Sequence, residues 1–165
     1  DILVNNAGVL LDTERDSSGG GWDMNEATDF KATREKLRKT MEINVYGPLE
    51  LCQRLIPLMK KSGYGRIVNL SSGMGQLSDM GVGWPAYRIS KAAINAVTRI
   101  FASETEGLNI KINSASPGWV KTDMGGSGAQ LTPEEGVQTV VWLSTLPNDG
   151  PTGKFFDEDQ DPMDW

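Results

Sequence analysis

Short apolar runs, each ending in small or polar residues, alternate along this chain with longer segments of helical periodicity. The first run, ILVNNAG from Ile2, is continuously apolar up to Val4, which is typical of a strand buried on both faces of a parallel sheet. GRIVNLSS, with a strand predicted over 66–71, NIKINSASPG and a short GKFF follow in order. This alternation predicts an α/β fold in which helices cover both faces of a parallel sheet.

The segments between the runs predict three helices. One covers 32–61, a second covers 85–106, and a third begins at the capping sequence TPEE of 132–135. Gly47-Pro48 should disturb the first helix just after Asn44, because proline removes a backbone donor and clashes with the preceding turn. With no internal repeat and no interdomain linker, the 165 residues are predicted to form one domain.

Composition excludes several classes of function. The net charge of −6 gives no electrostatic footprint for nucleic acid, and the longest apolar runs fall well short of a membrane span. The chain has no histidine, which excludes Ser-His-Asp, Cys-His and HExxH chemistry, and no metal site is expected. The single cysteine, Cys52, cannot form an internal disulfide, so we expect a reducing compartment and a cytoplasmic protein.

The stretch PAYRISK places Tyr87 and Lys91 on one face of a helix, one turn apart. Such a spacing alone is more often a surface aromatic packed on a lysine stem. However, ligands of open α/β sheets bind outside the carboxyl ends of the strands, where residues 5–8, 71–73 and 117–120 fall. The sequence therefore predicts that these segments meet Tyr87 and Lys91 in one crevice.

These motifs, taken in order, resemble those of the classical short-chain dehydrogenase/reductases. NNAG, Asn44 within INVYG, GRIVNLSS, YxxxK and SPGWVKTDM match from Asp1 to about Phe156, and the C-terminal third is similar to the carbonyl-reductase branch. The resemblance implies a Rossmann-like doubly wound parallel sheet. This chain would be its C-terminal portion, a single partial domain over 1–165 with about four strands and flanking helices.

The resemblance also implies an activity, the reduction of a ketone or aldehyde to an alcohol by hydride transfer from NADPH. Tyr87 would be the general acid/base, Lys91 its electrostatic partner, Ser72 the substrate-orienting hydroxyl and Asn44 the fourth member. Independently, a nearby ammonium should favour the phenolate of Tyr87. Ser71 is the open alternative to Ser72; we expect Ser72 to face the crevice, because successive strand residues point to opposite sides.

The cofactor implied by the resemblance is NADP, although no residue excludes NAD. We expect Asn5 to have a structural role more than a cofactor-binding one, because asparagine side chains can hydrogen-bond to neighbouring strands. The residues implied to bind the cofactor are Asn6, Ala7, Gly8, Tyr87, Lys91, Pro117, Gly118, Trp119, Val120 and Thr122.

The sequence departs from the family pattern in one main respect, because nothing in it reads TGxxxGxG, the glycine-rich phosphate loop. We therefore expect a truncated chain whose first strand, Ile2–Val4, is a sheet edge with the strand containing Val68 as its one neighbour. A non-catalytic dinucleotide-fold remnant or scaffold protein is the alternative function.

A second departure lies before the tyrosine, where only fourteen residues separate Ser72 from Tyr87. Monomeric carbonyl reductases carry an extra segment there, so the resemblance leaves room for a homo-oligomer packed through the helices at 32–61 and 85–106. The partner implied is a small-molecule carbonyl substrate, with no nucleic acid and no membrane. Its identity should depend on the loops at Gly19–Asp29 and Gly125–Gln130.

Overall fold

Each apolar run forms a strand, and the strands belong to one parallel sheet. The computed structural model describes residues 1–12 and 32–165 of the chain. Within them the strand order is β1-β2-β3-β4, and every neighbouring pair is parallel. The strands are β1 (Ile2–Asn5), β2 (Gly65–Leu70), β3 (Ile110–Ala115) and β4 (Phe155–Phe156). The expected α/β sheet is thus confirmed, and all of its carboxyl ends lie at one edge.

Helices connect these strands and lie on both faces of the sheet. The described helices are α1 (Arg34–Met41), α2 (Gly47–Ser62), α3 (Pro85–Glu104), α4 (Pro133–Gly136) and α5 (Gln138–Ser144). A one-turn 3₁₀ helix at Gly73–Gly75 follows β2. Thr132 caps α4 with the predicted capping box, in which Glu135 reaches back to the Thr132 backbone.

The disturbance predicted in the first helix is a π-helical turn. It covers Glu42–Tyr46 between α1 and α2, and the N–H of Gly47 donates to the carbonyl of Glu42, five residues back. Pro48 directly follows and has no N–H with which to continue an α-helical ladder. The wider turn carries Asn44 at its centre, buried against the rest of the fold.

Two apolar clusters hold the helices to the sheet, because successive strand residues point to opposite faces. On one face Ile67 and Ile112 pack with α2 and α3, including Ile56 and Ile94. On the other face Val68, Ala115 and Phe156 pack with α5 residues Val140 and Leu143. The second cluster reaches the carboxyl ends of β3 and β4, and polar side chains such as Ser71 and Ser116 follow directly after the strands.

A line of buried hydrogen bonds ties the strands together just below their carboxyl ends. The Asn5 amide donates to Asn69 Oδ1 at 2.7 Å, and the Asn69 amide donates to Thr98 Oγ1 at 2.8 Å. The hydroxyls of Thr98 and Ser114 lie 2.8 Å apart. Side chains of β1, β2, β3 and α3 are thus joined in one network. Asn5 links β1 to β2 in it, which is a structural role.

β1 is an edge of the sheet within the described residues. Its one strand neighbour is β2, with Val4 opposite Val68 as predicted. Ile2 and Val4 are 54% and 39% exposed, although both are apolar. Across the described residues, no helix combines the length and the apolar character that a membrane span requires.

Candidate active site

A cavity of about 1310 Å³ opens at the carboxyl ends of β1, β2 and β3. The structure brings together there most of the residues that the sequence singled out. Those that line it are Asn6, Ala7, Gly8, Ser72, Tyr87, Lys91, Pro117, Gly118, Trp119, Val120 and Thr122. Asn44 is the one predicted site residue that does not line the cavity, since it lies behind the wall.

Tyr87 projects from the first turn of α3 and is only 8% exposed. Burial raises the pKa of its phenol, because an apolar environment penalises the phenolate, while the neighbouring Ser72 hydroxyl acts in the opposite direction. Burial therefore sets the direction of this pKa, which is opposite to the direction expected from the neighbouring ammonium alone. The Lys91 Nζ lies over the ring face, 5.4 Å from the centroid.

Lys91 lies one turn after Tyr87 and is 5% exposed. Its Nζ donates to the carbonyl oxygen of Leu70 at 2.8 Å, at the end of β2. Burial lowers the pKa of the ammonium to about 8, because an apolar environment penalises the charged form. Lys91 also lines the cavity, so donor hydrogens beyond the Leu70 bond can serve a bound polar ligand.

The two adjacent serines after β2 have different surroundings. Ser71 is buried and donates its hydroxyl to the Lys91 carbonyl at 3.2 Å, which fastens the strand end to α3. Ser72 has extended backbone, its Oγ accepts the N–H of Met74, and its hydroxyl lies beside the Tyr87 phenol. Both line the cavity, but it is Ser72 that neighbours the phenol.

Asn44 joins the π-helical turn to the chain that leaves β1. Its amide donates to the Val9 carbonyl at 2.9 Å, and its Oδ1 accepts the Val9 N–H at 2.8 Å. The same amide donates to Ser90 Oγ at 3.0 Å, next to Lys91 on α3. Asn44 therefore joins the π-helical turn, the segment at Val9 and α3, and its described hydrogen bonds are all to protein groups.

The chain after β3 forms the opposite wall from Pro117 to Thr122. Gly118 has φ +70°, a left-handed conformation that favours glycine, and a Cβ there would meet Glu158 at 2.8 Å. The Trp119 indole donates to the Gly125 carbonyl at 2.9 Å, and the Gly125 N–H donates to Thr122 Oγ1 at 3.0 Å. These two hydrogen bonds hold Gly125, the first residue of the Gly125–Gln130 loop, against Trp119 and Thr122. A role in substrate choice was expected for this loop.

Among the residues that the sequence did not indicate, Trp84 lines the cavity and Ser90 lies behind its wall. Trp84 precedes α3 with φ 48°, which is strained for a bulky side chain, and it lines the cavity. Ser90 orients Asn44 and is itself bonded to the Tyr87 carbonyl at 2.7 Å. The position of Ser90 inside YRISK is the one sequence signal that could have indicated its role. No local sequence signal indicates the left-handed backbone conformation of Trp84.

The loop at Gly19–Asp29 lies outside the described residues. Among residues 1–12 and 32–165, no three His, Cys, Asp or Glu side chains are grouped so that they could hold a metal ion.

The parallel sheet, its flanking helices and the cavity at the strand carboxyl ends define a protein of the Rossmann-like α/β class. Within that class, residues 1–131 match the family model described as short chain dehydrogenase. The chain therefore belongs to the short-chain dehydrogenase/reductase family of oxidoreductases, as a carbonyl-reductase-like member.

Individual relatives agree with this assignment. The chain is 30% identical to a (+)-neomenthol dehydrogenase of Capsicum annuum, over 94% of this chain and 69% of that protein. It is 32% identical to carbonyl reductase [NADPH] 1 of Bos taurus, over 96% of this chain and 68% of that protein. Among solved structures, the carbonyl reductase Sniffer of D. melanogaster matches with a TM-score of 0.82 and 31% identity, covering 99% of this chain and 66% of that one. The chain thus spans about two thirds of the length of these relatives.

Proposed function

We propose that the protein reduces the carbonyl group of a small ketone or aldehyde to an alcohol, with NADPH as the reductant. The observation that carries this proposal is the arrangement at the cavity wall. There the Tyr87 phenol lies beside the Ser72 hydroxyl, and the Lys91 ammonium lies 5.4 Å from the centre of the Tyr87 ring.

In this mechanism Tyr87 donates a proton to the oxygen of the substrate carbonyl. Its raised pKa keeps the phenol protonated near neutral pH, which suits a proton donor. Ser72 donates a hydrogen bond to the same oxygen as negative charge develops on it. Lys91 then stabilises the phenolate that the proton transfer leaves behind. When bound, NADPH supplies the hydride that reduces the carbonyl carbon.

The residues present fit the nicotinamide end of such a cofactor. At Gly8 a Cβ would lie 3.6 Å from Lys91 Nζ, so the bare backbone of Gly8 leaves room beside the ammonium. Residues 117–122 form the facing wall, and Lys91 carries donors for polar groups of the ligand. NADP rather than NAD is supported by the name of the Bos taurus relative, carbonyl reductase [NADPH] 1. The reverse oxidation uses the same groups.

The substrate proposed is a carbonyl compound with an apolar body. Met74, Trp84, Trp119 and Met124 line the cavity around Ser72 and Tyr87 and offer mostly apolar surface. A ketone whose oxygen meets the two hydroxyls would place its hydrocarbon part against these side chains.

The alternative is a dinucleotide-fold protein without turnover. Two measurements on the protein separate the possibilities. Titration with NADPH reports binding, and the loss of NADPH absorbance with a panel of apolar ketones and aldehydes reports reduction. Binding with turnover supports the proposed enzyme, whereas binding without turnover on any member supports the alternative.

We also propose that the protein is a cytoplasmic homo-oligomer. Leu51 and Leu58 on α2 and Ile89 and Ile100 on α3 are exposed apolar side chains on the two helices for which packing was expected. Cys52 is buried and free, which is compatible with a reducing compartment. Sedimentation velocity over a range of concentrations tests the assembly; a monomer at every concentration would contradict it.

A further inference from the structure

Asp12 is a buried carboxylate that none of the steps above uses. It lies four residues after Gly8, in the segment that leaves β1, and is 8% exposed. Its Oδ1 accepts the N–H of Ala86 at 2.9 Å, and its Oδ2 accepts the N–H of Tyr87 at the same distance. Both oxygens of one carboxylate therefore accept hydrogen bonds from the first turn of α3, the helix that carries Tyr87 and Lys91.

The first turn of α3 needs these acceptors because its own sequence supplies none. Trp84 stands at the N-cap position and makes no side-chain capping bond, and Pro85 has no N–H. The Arg88 N–H reaches the Trp84 carbonyl, so Ala86 and Tyr87 carry the two remaining donors of the turn. A negative side chain at this end also complements the dipole of the 20-residue helix.

Asp12 is itself held in place by its neighbours. The Lys36 ammonium on α1 donates to the Asp12 carbonyl at 3.1 Å. Three residues earlier in the same segment, Asn44 binds both the N–H and the C=O of Val9. The segment from Gly8 to Asp12 is thus fixed near its start to the π-helical turn and at its end to α3.

We propose that Asp12 is a positioning residue, which sets the place of Tyr87 relative to the residues 6–8 that flank the cofactor side of the cavity. This inference rests on the proposed function, because it gives Asp12 its role through Tyr87. The carboxylate accepts the backbone N–H of Tyr87 itself. Loss of this hydrogen bond would therefore let the Tyr87 backbone move, and the phenol would move with it. Misplacement of a reacting group by about 1 Å can cost roughly 100-fold in rate.

The test compares Asp12→Ala and Asp12→Asn with Thr33→Ala. Thr33 caps α1 through a bond to the Lys36 N–H, so its loss removes an N-cap from a helix that holds no proton donor. Amide hydrogen exchange followed by NMR should show faster exchange at Ala86 and Tyr87 in Asp12→Ala, by about tenfold relative to Thr33→Ala. Asp12→Asn retains one acceptor oxygen and should fall between.

Two further readouts separate positioning from mere capping. In Asp12→Ala, kcat should fall by roughly 10- to 100-fold with the KM for carbonyl substrate unchanged, whereas Thr33→Ala keeps both. The phenol of Tyr87, once displaced from its buried position, should titrate closer to its ordinary pKa. A kcat and a Tyr87 titration in Asp12→Ala that both match Thr33→Ala would overturn the proposal, even if exchange at Ala86 were faster.

These readouts distinguish a failure of this inference from a failure of the proposed function. If the parent protein reduced no carbonyl compound, the proposed function would fail, and the exchange and titration would still report whether Asp12 positions Tyr87. If the parent is active and only the Asp12 variants lose kcat with a shifted Tyr87 titration, both inferences stand.

Discussion

Replacement of Lys91 by methionine should stabilise the protein at neutral pH. Burial lowers the pKa of the ammonium from 10.5 to about 8. Each pKa unit corresponds to about 1.4 kcal/mol, so keeping the charge in the folded protein at pH 7 costs about 3 kcal/mol. Methionine has a similar length and removes this cost, but it also removes the bond to the Leu70 carbonyl, a loss of about 1 kcal/mol. The net expectation is a gain of about 2 kcal/mol in the free energy of unfolding.

The sign of this effect should change with pH. Because the folded pKa lies below the unfolded one, the unfolded chain binds more protons between about pH 8 and 10.5, and the stability of the parent rises across that window. By pH 10.5 the advantage of methionine should be gone, leaving the variant less stable by about 1 kcal/mol.

The assay is urea unfolding of parent and variant at pH 7 and at pH 10.5, with the exposed Lys60→Met as the matched control. Lys60→Met should show no such crossover. A Lys91→Met protein that is less stable than the parent at pH 7, or a difference that is the same at both pH values, would refute the reasoning.

Three other predictions test the site. Ser72→Ala should lower kcat by roughly 100-fold and Ser71→Ala much less, since the Ser72 hydroxyl lies beside the Tyr87 phenol; steady-state kinetics in which Ser71→Ala is the worse variant would mean that the wrong serine was chosen. Gly75→Ala should destabilise the protein by roughly 1–3 kcal/mol in urea unfolding, because its Cβ would lie 2.6 Å from the backbone of α3. Asn44→Ala should cost roughly 2 kcal/mol by the same assay, since it removes the hydrogen-bond partner of both the N–H and the C=O of half-buried Val9; parent-like stability would contradict that account.

The strands were predictable because their signal is local. A continuous apolar run is typical of a strand in a parallel sheet, so β1 was expected at Ile2–Val4 and is found at Ile2–Asn5. The expected burial on both faces is not found, because Ile2 and Val4 are exposed at the sheet edge. β2 was expected at 66–71 and is found at Gly65–Leu70. Parallel strands have their carboxyl ends at one edge, and that geometry brings the residues chosen from separate motifs to one cavity.

Features that depend on distant contacts were not predictable. The helix after Thr132 was expected to be continuous, but it divides at Val137 into α4 and α5, where Gly136 is packed closely against Val120. The bond from Asp12 to Ala86 joins residues 74 positions apart, and no spacing rule contains it. The direction of the Tyr87 pKa was not predictable either, because the sequence shows the neighbouring lysine but not the burial that raises the pKa.

The most direct test of the central claim is the turnover of Tyr87→Phe, which removes the proton donor and keeps the ring. Tyr64→Phe is the matched control, since Tyr64 packs against Arg66 outside the cavity. NADPH affinity and carbonyl reduction are measured for parent, variant and control under the same conditions. The account predicts that Tyr87→Phe binds NADPH as the parent does while kcat falls by roughly 100-fold or more, and that Tyr64→Phe keeps both. Turnover by Tyr87→Phe at the rate of the parent would contradict it.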